Sequence, residues 1–228
     1  MKKKLYLILD IEGAGECDCA FAYDVGGVVC NKRGEIIDTF SFVVRDIFNY
    51  ESQLMASAYY SKKIPLYRAG LNVGEFKLES FYNVRKHIHD VIKMYDIDYV
   101  LAYNAGYDVN GLNNTQRWLT KSKYRWFLPY GTKVGCIWHM ACQVLCTQKS
   151  YVKFIDDNGL RKTSGRLPTS AEIVYAYMID DVSFIESHTG LEDAIIESAI
   201  FSRCMRQKKK MDKSINKRCW AIPQEKVV

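Results

Sequence analysis

Lys4-Leu5-Tyr6-Leu7-Ile8-Leu9-Asp10-Ile11-Glu12 is apolar from Leu5 to Leu9, and then acid alternates with aliphatic. A run this short is far below membrane-spanning length and too short for the apolar core of a secretory leader. It reads as a buried first strand, Lys4 to Glu12, of a cytoplasmic protein (the host cytoplasm if the source is viral). Residues i and i+2 of a strand share a face, so Asp10 and Glu12 project side by side from its end. Two adjacent carboxylates repel, and a hard divalent cation relieves that repulsion with oxygen ligands. A solvated strand end is the other reading of the pair alone.

Working outward, a second strand runs from Ala20 to Asn31, and Lys32-Arg33-Gly34-Glu35 turns into a third, Ile36 to Arg45. Helices cover Asp46 to Tyr95. The last starts at Glu75 and carries an apolar stripe through Phe76, Phe81, Val84, Ile88, Val91, Ile92 and Tyr95. A strand at Asp98 to Tyr103 leads into a helix from Ala105 to Leu119. Lys133 to Ile137 reads as a strand and Trp138 to Thr147 as a helix. Tyr151 to Arg166 reads as a hairpin around Asp157-Asn158-Gly159. Helices follow at Thr169 to Met178 and Leu191 to Lys210. Three strands joined by short turns, then strands alternating with helices, predict an α/β fold. Its mixed sheet has three antiparallel strands and then parallel ones, flanked by helices. With 228 residues, one sizeable domain is expected over residues 1–205, followed by a basic tail, 206–228.

The net charge of +6 is unevenly spread. Arg203 to Arg218 holds eight Lys/Arg and one acid, and Arg117 to Lys133 holds five Lys/Arg and no acid, leaving −6 for the remainder. Basic segments around an acidic body suit an anionic polymer held over a carboxylate site. Solvated surface charge is the alternative. Past Met205 the apolar stripe of the last helix fades, so the tail has little to bury and is expected to be loose. From Arg117 to Lys133, Arg117, Lys121, Lys123 and Arg125 interleave with Trp118, Tyr124, Trp126, Phe127 and Tyr130. Cations tracking phosphates and rings stacking on bases is what a single-strand binder requires, and core packing of those rings is the competing reading. The eight cysteines are read as reduced thiols. Structural zinc at Cys17 and Cys19, or at His139, Cys142 and Cys146, is the sharper alternative.

Two further segments carry acids at helix starts. Asn104-Ala105-Gly106-Tyr107-Asp108 places Asn104 as N-cap and Asp108 one turn in. In His188-Thr189-Gly190-Leu191-Glu192-Asp193, Thr189 and Glu192 form a capping box. The helix then starts at Gly190, with Asp193 one turn in and His188 in the preceding loop.

In this order the three segments resemble the DEDDh family of 3′→5′ exonucleases, which have a ribonuclease H-like fold. This family includes proofreading subunits of bacterial replicative polymerases and ribonuclease T. The match lies at Asp10 and Glu12, at Asn104 and Asp108, and at His188 and Asp193, and spans Leu5 to Met205. Thr169 to Ala194 looks most like phage-encoded members. Gly13-Ala14 stands where many relatives have Thr-Gly, and Tyr107 where Phe is common. The resemblance implies that Asp10, Glu12, Asp108 and Asp193 hold two Mg²⁺ or Mn²⁺ ions roughly 3.5–4 Å apart. His188 would act as general base. The substrate would be single-stranded nucleic acid, DNA favoured over RNA, cut from the 3′ end to nucleoside 5′-monophosphates. A DNA polymerase or another replication protein is a possible partner, and no membrane is involved. Gly13, Ala14 and Asn104, with the basic residues Arg117, Lys121, Lys123 and Arg125, are the expected substrate contacts. The rival readings are a catalytically weak nucleic-acid-binding or proofreading subunit, and a phosphodiesterase of small oligonucleotides.

Overall fold

A computed structural model describes residues 4–16, 19–121 and 126–226. Cys17, Lys123, Tyr124 and Arg125 therefore lie outside the described residues. The first three strands are β1 (Leu5–Ala14), β2 (Phe21–Asn31) and β3 (Ile36–Val44), paired antiparallel in sequence. Four more elements lead to the central strand pair: α1 (Arg45–Phe48), α2 (Ser52–Ala56), a 3₁₀ turn (Ser61–Lys63) and α3 (Ile64–Val73). Then come β4 (Leu78–Glu79), α4 (Phe81–Met94), β5 (Tyr99–Ala102) and α5 (Ala105–Thr120). The chain continues as β6 (Lys133–Cys136), α6 (Ile137–Val144), α7 (Lys149–Asp157), α8 (Ala171–Ile179), α9 (Gly190–Arg206) and α10 (Ala221–Lys226). The sheet order is β4-β3-β2-β1-β5-β6, with β5 parallel to β1 and β6 parallel to β5. The mixed sheet matches the expected fold class, a ribonuclease H-like architecture.

Strand alternation sends β1 into two cores. Leu7, Leu9 and Ile11 pack with Val84, Ile88 and Val91 of α4 and Leu112 of α5. Tyr6 and Ile8 pack on the other side with Met140 of α6 and Ile200 and Phe201 of α9. Asp10 and Glu12 continue that second face, so the face beneath α9 changes from apolar to acidic at the strand's end.

Three expectations fail locally. The segment from Tyr151 is not a hairpin: Tyr151, Phe154 and Ile155 are buried at helical spacing on α7. Asp157-Asn158-Gly159 is a turn, but it ends a helix, with Gly159 in the left-handed region at φ 62° and Leu160 N–H bonded to Ile155 O. The helix expected from Glu75 starts at Phe81, because Leu78–Glu79 pairs with β3 and Ser80 Oγ caps the helix through Asn83 N–H at 3.2 Å. The last helix ends at Arg206, and the residues beyond are not loose. Lys213 O accepts from Cys136 N–H at 2.7 Å on the open edge of β6, Asp212 O accepts from Gln143 Nε2 at 2.8 Å, and Ser214 O bonds His139 Nδ1. Cys219 is fully buried, and Gln224 exchanges hydrogen bonds with the backbone of Leu167. The chain is held by backbone groups, which the apolar pattern does not report, while the side chains of Lys208, Lys209, Lys210, Lys217 and Arg218 stay exposed. His139, Cys142 and Cys146 do not form a metal-ligand group among the described residues.

A chain ending at Gln207 uncovers the β6 edge and the α6 side chains that bind the returning segment. Its melting temperature should fall by several degrees in thermal denaturation; an unchanged midpoint would restore the loose-tail reading.

Candidate active site

The carboxylates meet where β1 and β5 end and α5 and α9 begin. Asp10 pairs with Gly26 and Glu12 with Asp24 in the β1–β2 register. The Oδ1 of Asp108, in the first turn of α5, accepts from the Ile11 N–H at 3.2 Å, fixing that helix to β1 between the two acids. Asn104 stands at the N-cap in the left-handed region (φ 65°), yet its side chain makes no capping bond; its carbonyl instead accepts from Tyr107 N–H at 2.8 Å.

The approach of α9 is closer. A Cβ on Gly26 would lie 2.0 Å from the carbonyl carbon of Gly190, and one on Gly190 would lie 2.6 Å from the Gly26 nitrogen. Only glycine at both places lets the helix start rest backbone-to-backbone on β2, directly across from Asp10. Thr189 does not cap through the backbone as expected: its hydroxyl bonds the Glu192 carboxylate at 3.0 Å. The buried helix start is satisfied instead by Asp24, which is itself fully buried. Its Oδ2 accepts from Gly190 N–H at 2.9 Å and from Tyr67 O–H at 2.6 Å. Asp193 thereby arrives with Glu12 and His188 so that one ligand atom from each lies within 4.8 Å of the others. Glu172, Glu186 and His188 form a second such group.

His188 has φ 52° and lies half-buried. Its Nδ1 is 3.8 Å from Asp193 Oδ2 and 3.9 Å from Glu186 Oε2, and its ring stacks on Tyr60 at 4.2 Å between centroids. Lys63, from the turn before α3, donates to the Ser187 carbonyl and ties the histidine loop down.

Burial dominates the electrostatics. It pushes Glu12 up to about 9, with the charges of Asp193 and Asp24 adding to the effect and Lys63 opposing it. Asp108 rises to about 8 from burial, opposed by the Ile11 N–H. Asp193 rises to about 8 from burial and then from Glu186. Asp10 is held well above the carboxylate range by burial and then by Glu197. Burial and then Lys63 hold the His188 imidazole below its usual value. Asp108 Oδ2, Asp193 Oδ1 and Glu197 Oε2 are buried without a hydrogen-bond partner. Converging buried carboxyl oxygens without hydrogen-bond partners fit hard divalent cations, which would displace their protons.

The sites form one cleft of about 510 Å³. Asp10, Glu12, Gly13, Asn104, Asp108, His188 and Asp193 all line it. Ala14 is fully buried behind it. A Cβ on Gly13 would meet the Tyr107 hydroxyl at 2.2 Å, so the glycine lets the tyrosine lie across the strand end. Arg117 and Lys121 lie at the far end of α5, about 13 Å or more along the helix from Asp108 at its usual rise. Trp118, Trp126 and Tyr130 are exposed, whereas Phe127 is core. Among the cleft's other contributors, the sequence reading did not point to Tyr59, Tyr60, Tyr103, Trp138, Lys162, Glu186 and Glu197. Glu197 alone left a readable signal, an acid one turn after Asp193 on a face that is otherwise apolar.

No family model matches the sequence, and no curated protein does. Solved structures do share its fold. E. coli exonuclease I in complex with a dA16 oligonucleotide superposes with a TM-score of 0.54 at 14% identity, over 86% of this chain and 40% of that one. E. coli exonuclease I bound to a 5cy-dT13 oligonucleotide gives 0.54 at 11%, over 86% and 39%. Cell-death related nuclease 4 (CRN-4) gives 0.53 at 11%, over 92% and 66%. This chain thus spans about two fifths of the length of exonuclease I. Among the described residues no helix is long and apolar enough to cross a membrane.

Two outcomes follow from the packing and the charge. Gly26→Ala forces the α9 start off β2 and should cost roughly 1–3 kcal/mol, the usual penalty of overpacking, in chemical denaturation. A loss below about 0.5 kcal/mol would show that the contact has slack. The second outcome concerns pH. Carboxyl groups whose folded values are raised stabilise the fold while protonated, below about 4, and that contribution is lost as pH rises through their folded values near 8–9. The melting temperature of chelator-treated protein should therefore fall from pH 5 to pH 9, and millimolar Mn²⁺ should flatten the fall. A flat profile without metal would contradict the burial of these acids.

Proposed function

We propose that the chain is a metal-dependent 3′→5′ exonuclease that removes nucleoside 5′-monophosphates from single-stranded nucleic acid, DNA in preference to RNA. The observation that carries this reading is the convergence of Asp10, Glu12, Asp108 and Asp193, with unpartnered buried oxygens, in one cleft. Support comes from a shared fold: exonuclease I has that fold and has been solved with single-stranded oligonucleotides. The four carboxylates would hold two Mg²⁺ or Mn²⁺ ions. When bound, such ions activate a water and offset charge on the phosphate under attack.

The remaining steps belong to side chains. An imidazole held below its usual value is neutral at pH 7 and ready to accept a proton. His188 takes it from the attacking water as general base. The imidazolium so formed lies within 4 Å of the carboxylates of Glu186 and Asp193, which stabilise its charge. Stacking on Tyr60 fixes the ring plane. Tyr59, which is largely exposed, and Tyr107 and Trp138 offer faces on which bases at the strand end stack. Lys162 on the cleft rim and Lys63 beside the acids supply positive charge for the backbone. Cleavage from the 3′ end rests on the likeness of the motifs to DEDDh enzymes. A polymerase or other replication partner would follow from the same likeness.

The test uses 5′-labelled single-stranded DNA and RNA of equal length with Mg²⁺ or Mn²⁺, resolved on a gel. A ladder shortening from the 3′ end is expected, faster on DNA, with circular DNA resistant. Asp193→Ala should retain less than about a tenth of the activity, since loss of one ligand uncouples the centre. His188→Ala should lose roughly 10²–10⁴ in rate while still binding metal. Rapid cutting of circles would point to an endonuclease, and a dinucleotide cleaved as fast as a 20-mer to a small-substrate phosphodiesterase.

A further inference from the structure

Glu197 lies one helical turn beyond Asp193 on α9, so both side chains leave the helix on the same face. No step above uses it. It is 3% exposed and lines the cleft. Its carboxylate accepts from the backbone N–H of Tyr103, at the exit of β5, while Oε2 has no partner. Its charge bears on Asp10 more than that of any other carboxylate, and the charge that bears most on it is that of Asp108. Glu12, His188 and Asp193 form the group whose ligand atoms lie within 4.8 Å of one another. The helix around Glu197 is otherwise built for the core: Ala194, Ile196, Ile200 and Phe201 are buried. An aliphatic side chain would be cheaper in such a place than an acid with a free oxygen among other acids.

We propose that Glu197 is a fifth carboxylate of the metal centre, accepting hydrogen bonds from water held on the ion that Asp10 and Asp108 bind. This rests on the metal-centre reading given above. Glu197, like Asp10 and Asp108, lies outside the group whose ligand atoms cluster within 4.8 Å, and its unpartnered Oε2 is the atom that would accept from such a water. Partners of this kind are typically worth 10–100-fold in metal affinity.

The competing role is structural: Glu197 would merely hold the Tyr103 N–H. Glu197→Gln separates the two, because the amide oxygen still accepts from Tyr103 while the charge is gone. The full chain, stripped of metal, is titrated with Mn²⁺ by calorimetry at pH 8 and melted with and without Mn²⁺. E197Q should melt at or above the wild type without metal and bind Mn²⁺ about 10–100-fold more weakly. Glu197→Ala should lose the same affinity and also melt lower. Affinity of E197Q within twofold of wild type, or an E197Q protein that melts well below wild type, overturns the proposal and leaves Glu197 to the fold. Wild-type protein that binds no Mn²⁺ overturns the metal centre itself, which distinguishes the two failures.

Discussion

The backbone contact between Gly26 on β2 and Gly190 at the head of α9 sets the geometry of everything around it. The helix can descend to that distance only because neither residue carries a Cβ. Once there, its first N–H would be buried without a partner, which costs about 1–3 kcal/mol. Asp24 removes that cost by accepting from Gly190, and in turn is held by Tyr67 from α3. One carboxylate thus couples β2, α3 and α9. Asp193 and His188, separated from Asp10 by most of the chain, are delivered to the end of β1 by this contact. Asp108 arrives independently, tied to the Ile11 N–H from the other side of the strand.

The same arrangement concentrates acids where water is scarce. A buried carboxylate without a cation is expensive, and here Asp10, Glu12, Asp108, Asp193 and Glu197 share one cleft. A fold selected for stability alone would fill the positions beneath α9 with apolar side chains, as it does earlier on the same face of β1 at Tyr6 and Ile8. Such an unfavourable arrangement persists where the surrounding core over-determines it. Two apolar clusters, one on each face of the sheet, do so here.

Much of this was legible in the sequence, and for identifiable reasons. The five apolar residues before Asp10, the alternation after it and the strand-helix order that follows report burial directly, so the mixed sheet could be read from them. Acids at fixed offsets from helix starts placed Asp108 and Asp193 correctly, although the assigned capping bonds of Asn104 and Thr189 are not made. What escaped is held by tertiary contact. Asp24 looks like one polar residue in a strand, and its partners lie 43 and 166 residues away. Tyr60 and Lys63 reach His188 across a similar span. The chain beyond Arg206 has no apolar stripe, yet its backbone satisfies the β6 edge. At Asp157-Asn158-Gly159 the turn was visible, but whether it joins two strands or ends a helix depends on Tyr151 and Phe154 packing at helical spacing.

Diffraction from crystals soaked in Mn²⁺, recorded at the manganese absorption edge, tests the central claim most directly. The account predicts anomalous density enclosed by Asp10, Glu12, Asp108 and Asp193. A cleft without anomalous density at saturating Mn²⁺, or density confined to Glu172, Glu186 and His188, would contradict it.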